Sequence, residues 1–483
     1  MSRNFREILH KGAHAVVVGL GASGISAVKF LLGLGVKISV SEGGRRENLE
    51  GDLVRWLMEN GVFVEAGGHT SELLESADCI LVSPGVPLNI PALCAAREKG
   101  IPVVGELALA ADFLKTPAVA ITGTNGKSTV TTLIGDLLAG GGMKVFVGGN
   151  IGVPLTDYLA GNQDCDVVVL EVSSYQLDSA CDFRPHIGVL LNITPDHLDR
   201  YESYAEYAAS KFSLFRNQLP ADVAIVNGDD ALIGEWLRRN EEKSNEYPVR
   251  SRVLIYGSEE RKGGSAHLEG SKVIMSGGVY GDKREEYDLA GTRLVISPNS
   301  ENAMASILAA RTMGVKPEAI SRAMAEFEPL AHRLSFVAEF GGVSYYDDSK
   351  ATNVGAVHSA LSGMSCKVVL IAGGRDKGGE YDMLAQLVKE KVRGMVLIGE
   401  AREKIGRTFS GMTRIEYAKS MEDAVRIANM MAEQGDAVLL SPACASFDMF
   451  KSYSHRGEVF CRAVKGLTAG SGPDGSVEEG RRF

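Results

Sequence analysis

Short runs of Val, Ile, Leu and Ala alternate with helix-length amphipathic stretches along nearly the whole chain, and no other feature limits the possible folds so strongly. A strand buried on both faces reads as a continuous apolar run, and laying such strands side by side in parallel requires a crossover, usually a helix. The pattern therefore predicts an α/β protein with parallel sheets, and it falls into three blocks. The first has strands at Ala15–Val18, Lys37–Val40 and Cys79–Val82 and finishes near Ile101–Gly105. The second has strands at Ala118–Thr122, Asp166–Leu170, Ile187–Leu191 and Val223–Asn227; the third at Val343–Tyr346, Lys367–Ala372, Met395–Gly399 and Ala437–Leu440. Between about Asn245 and Ser297 short pieces broken by Gly and charged pairs predict antiparallel hairpins appended to the middle block. From Gly466 to Phe483 the chain is too rich in Gly, Ser and charge to bury much apolar surface, so a frayed tail is expected.

The 483 residues suffice for several cores, and 51 Lys+Arg against 61 Asp+Glu leave a net charge of −10. No overall positive field exists to attract a nucleic-acid backbone or an anionic membrane. The seven cysteines are odd in number, scattered and never in a C-x-x-C pair, which fits a reducing cytoplasm better than a disulfide framework or a zinc site. Residues 1–14 mix charges with few apolar residues and show no signal-peptide core, and no run approaches the roughly 18 apolar residues of a membrane span.

The strongest chemical signal is the run from Ala118 to Thr129, a buried strand that turns through Gly123 and Gly126 into a helix reaching Gly140. Such a turn aims backbone N–H groups and a helix N-terminus at phosphate oxygens; Lys127 reaches the terminal phosphates and the Ser128 hydroxyl can hold Mg²⁺. The spacing G-x-x-G-K-S is shorter than the general form, with Ile121 where the first Gly would stand, and no N-K-x-D guanine-reading run occurs. Ligands of open parallel sheets gather at the carboxyl ends of strands. Glu171 closes one neighbouring strand and His197 follows another, so both can face the loop; a carboxylate suits Mg²⁺, while a histidine implies a second metal position. Taken singly, Glu171 also reads as a strand-end cap and His197 as a solvated loop residue.

The run Gly123–Ser128, the segment Asn192–Arg200 and the three-block layout together resemble the Mur ligases, ATP-dependent enzymes that add amino acids to a UDP-muramoyl precursor of peptidoglycan. The segments Glu171–Leu177, Asp348–Asn353 and Leu440–Ser446 resemble the D-glutamate-adding branch, and the Asp-Asn-Pro-Arg run of the diaminopimelate-adding branch is absent. The resemblance implies a Rossmann-like domain over residues 1–105 for the UDP-sugar, a central P-loop ATPase-like domain over 106–329, and a Rossmann-like amino-acid domain over 330–466; the composition of 467–483 leaves those residues as the disordered tail. It implies a monomer that acts on UDP-N-acetylmuramoyl-L-alanine, D-glutamate and ATP with two Mg²⁺ ions. It further implies that the third block swings about the segment from Leu330 to His332.

Residue by residue, the resemblance places ATP at Gly123, Thr124, Asn125, Gly126, Lys127, Ser128 and Thr129, with Asn302, Arg333 and Asp348. It places metal on Ser128, Glu171 and His197, and on Lys211 as a carbamate, N6-carboxylysine, which would turn a repelling ammonium into an oxygen ligand. Catalytic roles fall to Lys127, His197, Lys211 and Lys350. Thr352, Lys377, Ser446 and Tyr453 would meet the amino acid, whose two carboxylates need such donors. Ala22, Ser23, Ser83, Gly85 and Asn150 would line the UDP-sugar site. Two departures from the family pattern are Pro298, where a His is expected, and Tyr453, where a Phe is. Three other readings stand beside this one: a nicotinamide-dependent dehydrogenase, from Gly19-x-Gly-x-x-Gly24 with Glu42; a folylpolyglutamate synthetase, which lacks the first block; and a non-catalytic ATP-binding regulator.

Overall fold

A computed structural model of the chain describes residues 4–196, 200–242, 249–276, 283–376 and 378–469. Among them the strands form three sheets flanked by helices, the α/β architecture expected from the alternation. The first contains β1 (His14–Val18), β2 (Lys37–Glu42), β3 (Phe63–Ala66), β4 (Cys79–Val82) and β5 (Val103–Val104), all parallel, in the order β3-β2-β1-β4-β5. The middle sheet contains β6 (Ala118–Thr122), β7 (Val145–Gly149), β8 (Val167–Glu171), β9 (Ile187–Leu190), β10 (Val223–Asn227), β11 (Arg252–Gly257), β12 (Ala266–Glu269), β13 (Lys272–Met275) and β14 (Glu285–Asp288). Its order is β14-β13-β12-β11-β10-β9-β6-β8-β7. The third contains β15 (Ser335–Phe340), β16 (Val343–Asp347), β17 (Val368–Gly373), β18 (Val392–Ile398), β19 (Arg414–Tyr417) and β20 (Ala437–Leu440), in the order β15-β16-β20-β17-β18-β19.

All five residues of β6 are buried, and they alternate between two cores: Ala118 and Ala120 face one, Val119 and Ile121 the other. The first of these cores is continuous with the first sheet, through Leu107, Leu109 and Val28, so the first two blocks share apolar packing. The second lies under the helices Lys127–Gly140 and Asn299–Thr312. The third sheet has cores of its own on its two faces.

Three sequence expectations need correction. The stretch after Asn245 is not a set of hairpins throughout, because β11 extends the parallel sheet beside β10 and β12 joins it in parallel; only β12–β13–β14 are antiparallel. Strands β3, β7, β15 and β19 were not expected: β3 and β15 are half-exposed and β7 ends in glycines, so none reads as a buried apolar run. The C-terminal helix Tyr453–Ala469 continues past Gly466, and residues 470–483 lie outside the described residues. No helix among the described residues is long and apolar enough to cross a membrane.

Candidate active site

In the middle sheet β6 lies between β9 and β8, with Ile121 opposite Glu171 and Thr122 opposite Leu190. The turn that follows β6 is therefore flanked by Glu171 on one side and by Asn192 on the other. Gly123 and Gly126 both have positive φ, and a Cβ on Gly126 would lie 2.7 Å from Asn302 Oδ1. Asn192 holds the turn from the side: its Oδ1 accepts from Asn125 N at 2.8 Å and its Nδ2 donates to Asn125 O at 3.1 Å. Thr124 Oγ1 donates to Thr194 O at 3.1 Å and shares a 3.0 Å hydrogen bond with the Tyr207 hydroxyl. The helix Lys127–Gly140 starts at Gly126 with no side-chain cap, which leaves its first N–H groups for a ligand.

Two lysines, Lys211 buried and Lys127 half-buried, converge on one carbonyl. Lys127 Nζ donates to Gly123 O at 2.9 Å and Thr124 O at 2.8 Å, and Lys211 Nζ donates to Gly123 O at 2.9 Å while lying 4.5 Å from the Tyr207 ring centre. Burial lowers the pKa of Lys127, partly offset by Glu171, and pushes that of Lys211 well below the usual range, with Lys127 adding to the effect. Arg333, also lowered by burial and held charged chiefly by Glu171 and Asp348, donates to Ser128 Oγ at 2.5 Å. Glu171 is buried; its Oε1 accepts from Asn150 Nδ2 at 2.7 Å, and its Oε2 has no hydrogen-bond partner. A buried carboxylate oxygen without a partner is costly, so a cation ligand is the natural complement. The residues thus fit Mg²⁺ at Glu171, although the Ser128 hydroxyl is engaged by Arg333. Among the described residues no group of three or more His, Cys, Asp and Glu is arranged as a metal site.

The third sheet brings its own strand ends to the same region. Asp348, Lys350 and Thr352 follow β16, and Ser446 follows the neighbouring β20. Asp348 accepts from Ser441 Oγ at 2.9 Å and from Leu334 N at 3.2 Å, and burial raises its pKa to about 7. Lys350 Nζ lies 3.9 Å from the Tyr453 ring centre. His332, at positive φ, shares a 2.6 Å hydrogen bond with Asp347 Oδ2, and its carbonyl accepts from Lys350 N at 3.0 Å.

In the first block the helix Ala22–Gly33 begins at Gly21, again without a side-chain cap. A Cβ on Gly24 would lie 2.0 Å from Gly19 O, and Ser83 Oγ donates to that same carbonyl at 2.8 Å. Glu42 is turned onto its own loop, accepting from Leu20 N at 2.7 Å and Gly44 N at 2.8 Å. Ala22, Ser23, Ser83 and Gly85 stand around this turn, but Asn150 does not: it touches Glu171, beside the phosphate loop. His197 and Lys377 lie outside the described residues.

Sequence reasoning missed Asn192 as a site residue, although its place two residues beyond the buried strand β9 was a usable signal. It also missed Arg456, which donates to Ser349 Oγ, Ser349 O and Cys444 O at 2.9, 2.8 and 3.0 Å and ties the Asp348–Lys350 turn to the loop after β20. A lone arginine on an amphipathic helix carries no such signal.

Comparison with known proteins gives concordant results. Residues 13–105 match the Mur ligase MurD-like N-terminal domain, 121–310 the Mur ligase middle domain, and 332–444 the Mur ligase glutamate ligase domain. The chain is 45% identical over 465 residues to the UDP-N-acetylmuramoylalanine–D-glutamate ligase of Desulfosudis oleivorans, covering 94% of this chain and 96% of that protein. It is 43% identical over 464 residues to the protein of the same name from Syntrophotalea carbinolica, covering 95% and 98%. Among solved structures, a MurF ligase from Thermotoga maritima in complex with ADP shares the fold at a TM-score of 0.58 and 17% identity, over 97% of this chain and 98% of that one.

Proposed function

Because the chain belongs to the Mur ligases, we propose that it joins D-glutamate to the L-alanyl carboxyl of UDP-N-acetylmuramoyl-L-alanine in a reaction driven by ATP, as a monomer in the cytoplasm, in peptidoglycan precursor synthesis. The observation that carries the reading is the convergence of buried Lys211 with half-buried Lys127 and Arg333 around a phosphate loop whose neighbour, Glu171, has an unpartnered oxygen. Three cations gathered at one loop, one of them fully buried, suit a polyanion, and they belong where charge builds on a transferred phosphoryl group.

A carboxylate is a poor electrophile, so its oxygen first takes the terminal phosphoryl group of ATP, giving an acyl phosphate and ADP. The amine of D-glutamate then attacks the acyl carbon, and the tetrahedral intermediate expels phosphate to leave the amide. Lys127 follows the phosphoryl group, the backbone N–H groups of Gly123–Thr129 hold the remaining phosphates, and Asn302 and Asp348 border the nucleotide. Ser128, Glu171 and His197 would hold Mg²⁺, which would supply neutralisation of phosphate charge. Lys211 is suited to carbamylation because burial favours its neutral, nucleophilic amine, which adds to CO₂ with loss of a proton. Lys350, Thr352, Lys377, Ser446 and Tyr453 receive D-glutamate; Ala22, Ser23, Ser83, Gly85 and Asn150 receive the UDP-sugar. Closure of the three blocks excludes water, which would otherwise hydrolyse the acyl phosphate.

The deciding experiment follows phosphate release with Mg-ATP and UDP-N-acetylmuramoyl-L-alanine while D-glutamate, L-glutamate, L-alanine, L-lysine and meso-diaminopimelate are added in turn. Release that depends on D-glutamate, with an amide product by mass, is the expected result. Dependence on another amino acid changes the substrate assignment, and no release with any of them overturns the reading.

A further inference from the structure

The loop Asp348–Asn353 carries residues assigned to the amino acid, and its last member does two jobs with the two ends of one side chain. Asn353 is the N-cap of the helix Val354–Gly363: its Oδ1 accepts from Ala356 N at 2.8 Å. Since the oxygen is fixed by a backbone donor, the other end must be the amide nitrogen. That nitrogen crosses to the middle block, where it donates to Asp196 Oδ2 at 2.9 Å and Asn125 Oδ1 at 3.3 Å. A separate observation marks the same contact: a Cβ on Gly355 would lie 2.6 Å from Thr194 Oγ1 and 3.4 Å from Asn125 Nδ2. The first turn of this helix is thus pressed against the phosphate loop and the stretch after β9 that carries Asp196, closely enough that a side chain at residue 355 is excluded.

We propose that Asn353, with Gly355, is a positioning residue for ligation: its amide fastens the amino-acid-binding loop to the phosphate loop and so sets the distance from the attacking amine to the activated carboxyl. The inference rests on the functional reading above. It explains why the cap is Asn, when Asp caps a helix equally well. An Asp here would keep the bond to Ala356 N but turn a carboxylate toward Asp196, whereas Asn meets an acceptor on one side and a donor on the other. Small displacements of bound reactants lower rates steeply, so losing this contact should act on turnover and on use of the amino acid rather than on ATP.

The test compares the full-length parent with Asn353→Asp, Asp196→Asn, Gly355→Ala and the swapped pair Asn353→Asp/Asp196→Asn, with kcat and KM measured for each substrate. For folded Asn353→Asp the expectation is a KM for ATP within about twofold of the parent and kcat/KM for D-glutamate at least about tenfold lower. Gly355→Ala should lose activity in the same sense, and the swapped pair should be more active than the product of its single-variant effects predicts. A folded Asn353→Asp that works like the parent, or a swapped pair whose effects simply multiply, overturns the proposal. If Asn353→Asp does not fold, Gly355→Ala decides, and unchanged kinetics there overturn the proposal. If the folded parent shows no turnover dependent on D-glutamate, the functional reading fails instead. The contact is then tested by X-ray scattering with Mg-ATP: compaction in the parent and not in Asn353→Asp upholds it, and equal profiles overturn it.

Discussion

Two turns of this molecule, the one after β1 and the one after β6, are built on one plan: a buried strand, a first glycine at positive φ, and a helix that starts on a glycine with no side-chain cap. Both leave helix N–H groups open to an anion. Their surroundings differ. Around the first, Ser83 bonds Gly19 O, and the Glu42 carboxylate takes the N–H groups of Leu20 and Gly44. A carboxylate engaged with the backbone in this way is not placed as a ribose acceptor, which counts against the dehydrogenase reading. Around the second, Lys127 and Lys211 share Gly123 O, Arg333 reaches in from the third block, and Glu171 keeps an oxygen free of hydrogen bonds. The same backbone cradle can hold a diphosphate or assist transfer of a phosphoryl group, and the charges around it decide which.

The largest expected effect comes from Lys127→Ala, which should lower turnover on the order of 10³-fold while leaving binding of the UDP-sugar, measured by calorimetry, at the parent value. If UDP-sugar binding falls as well, the two turns are not independent. Gly24→Ala should do the reverse: its Cβ would meet Gly19 O at 2.0 Å, so the UDP-sugar KM should rise roughly tenfold or more while the KM for ATP stays put.

Asp348 sharpens the contrast through pH. Burial raises its folded pKa to about 7, above an unfolded value of about 4, so the folded state binds the extra proton between these limits. Its contribution to stability therefore declines as pH rises from about 4 to about 7 and is level above that. Asp348→Asn should remove this slope, and the gap between variant and parent thermal midpoints should widen in the variant's favour between about pH 5 and about pH 7.5. The smallest effect belongs to Glu42→Gln, which weakens two hydrogen bonds within the first turn; about 1 kcal/mol of stability and a few-fold rise in UDP-sugar KM are expected, with ATP kinetics unchanged.

Much of the fold was legible because burial on both faces leaves a plain mark: β1, β4, β6, β10 and β20 appear as apolar runs at or within a residue of their observed bounds. Half-exposed edge strands such as β3 and β15 leave no such mark. Within the site, Gly123, Gly126, Lys127 and Ser128 were readable because a local turn has local chemistry. The contact of Asn150 with Glu171 was not legible, since it depends on β7 lying beside β8.

The amino-acid order by itself determined the α/β class, the strand-to-helix turn after β6 and the residue types available at each strand end, because hydrophobic periodicity and glycine-rich turns act over a few residues. Only the tertiary structure decided that Lys211 shares a carbonyl with Lys127, that Arg333 crosses to Ser128, and that Asn353 meets Asp196 across a separation of 157 residues. These contacts arise from how sheets and blocks pack together, and a side chain's charge and pKa are set by the neighbours that packing supplies.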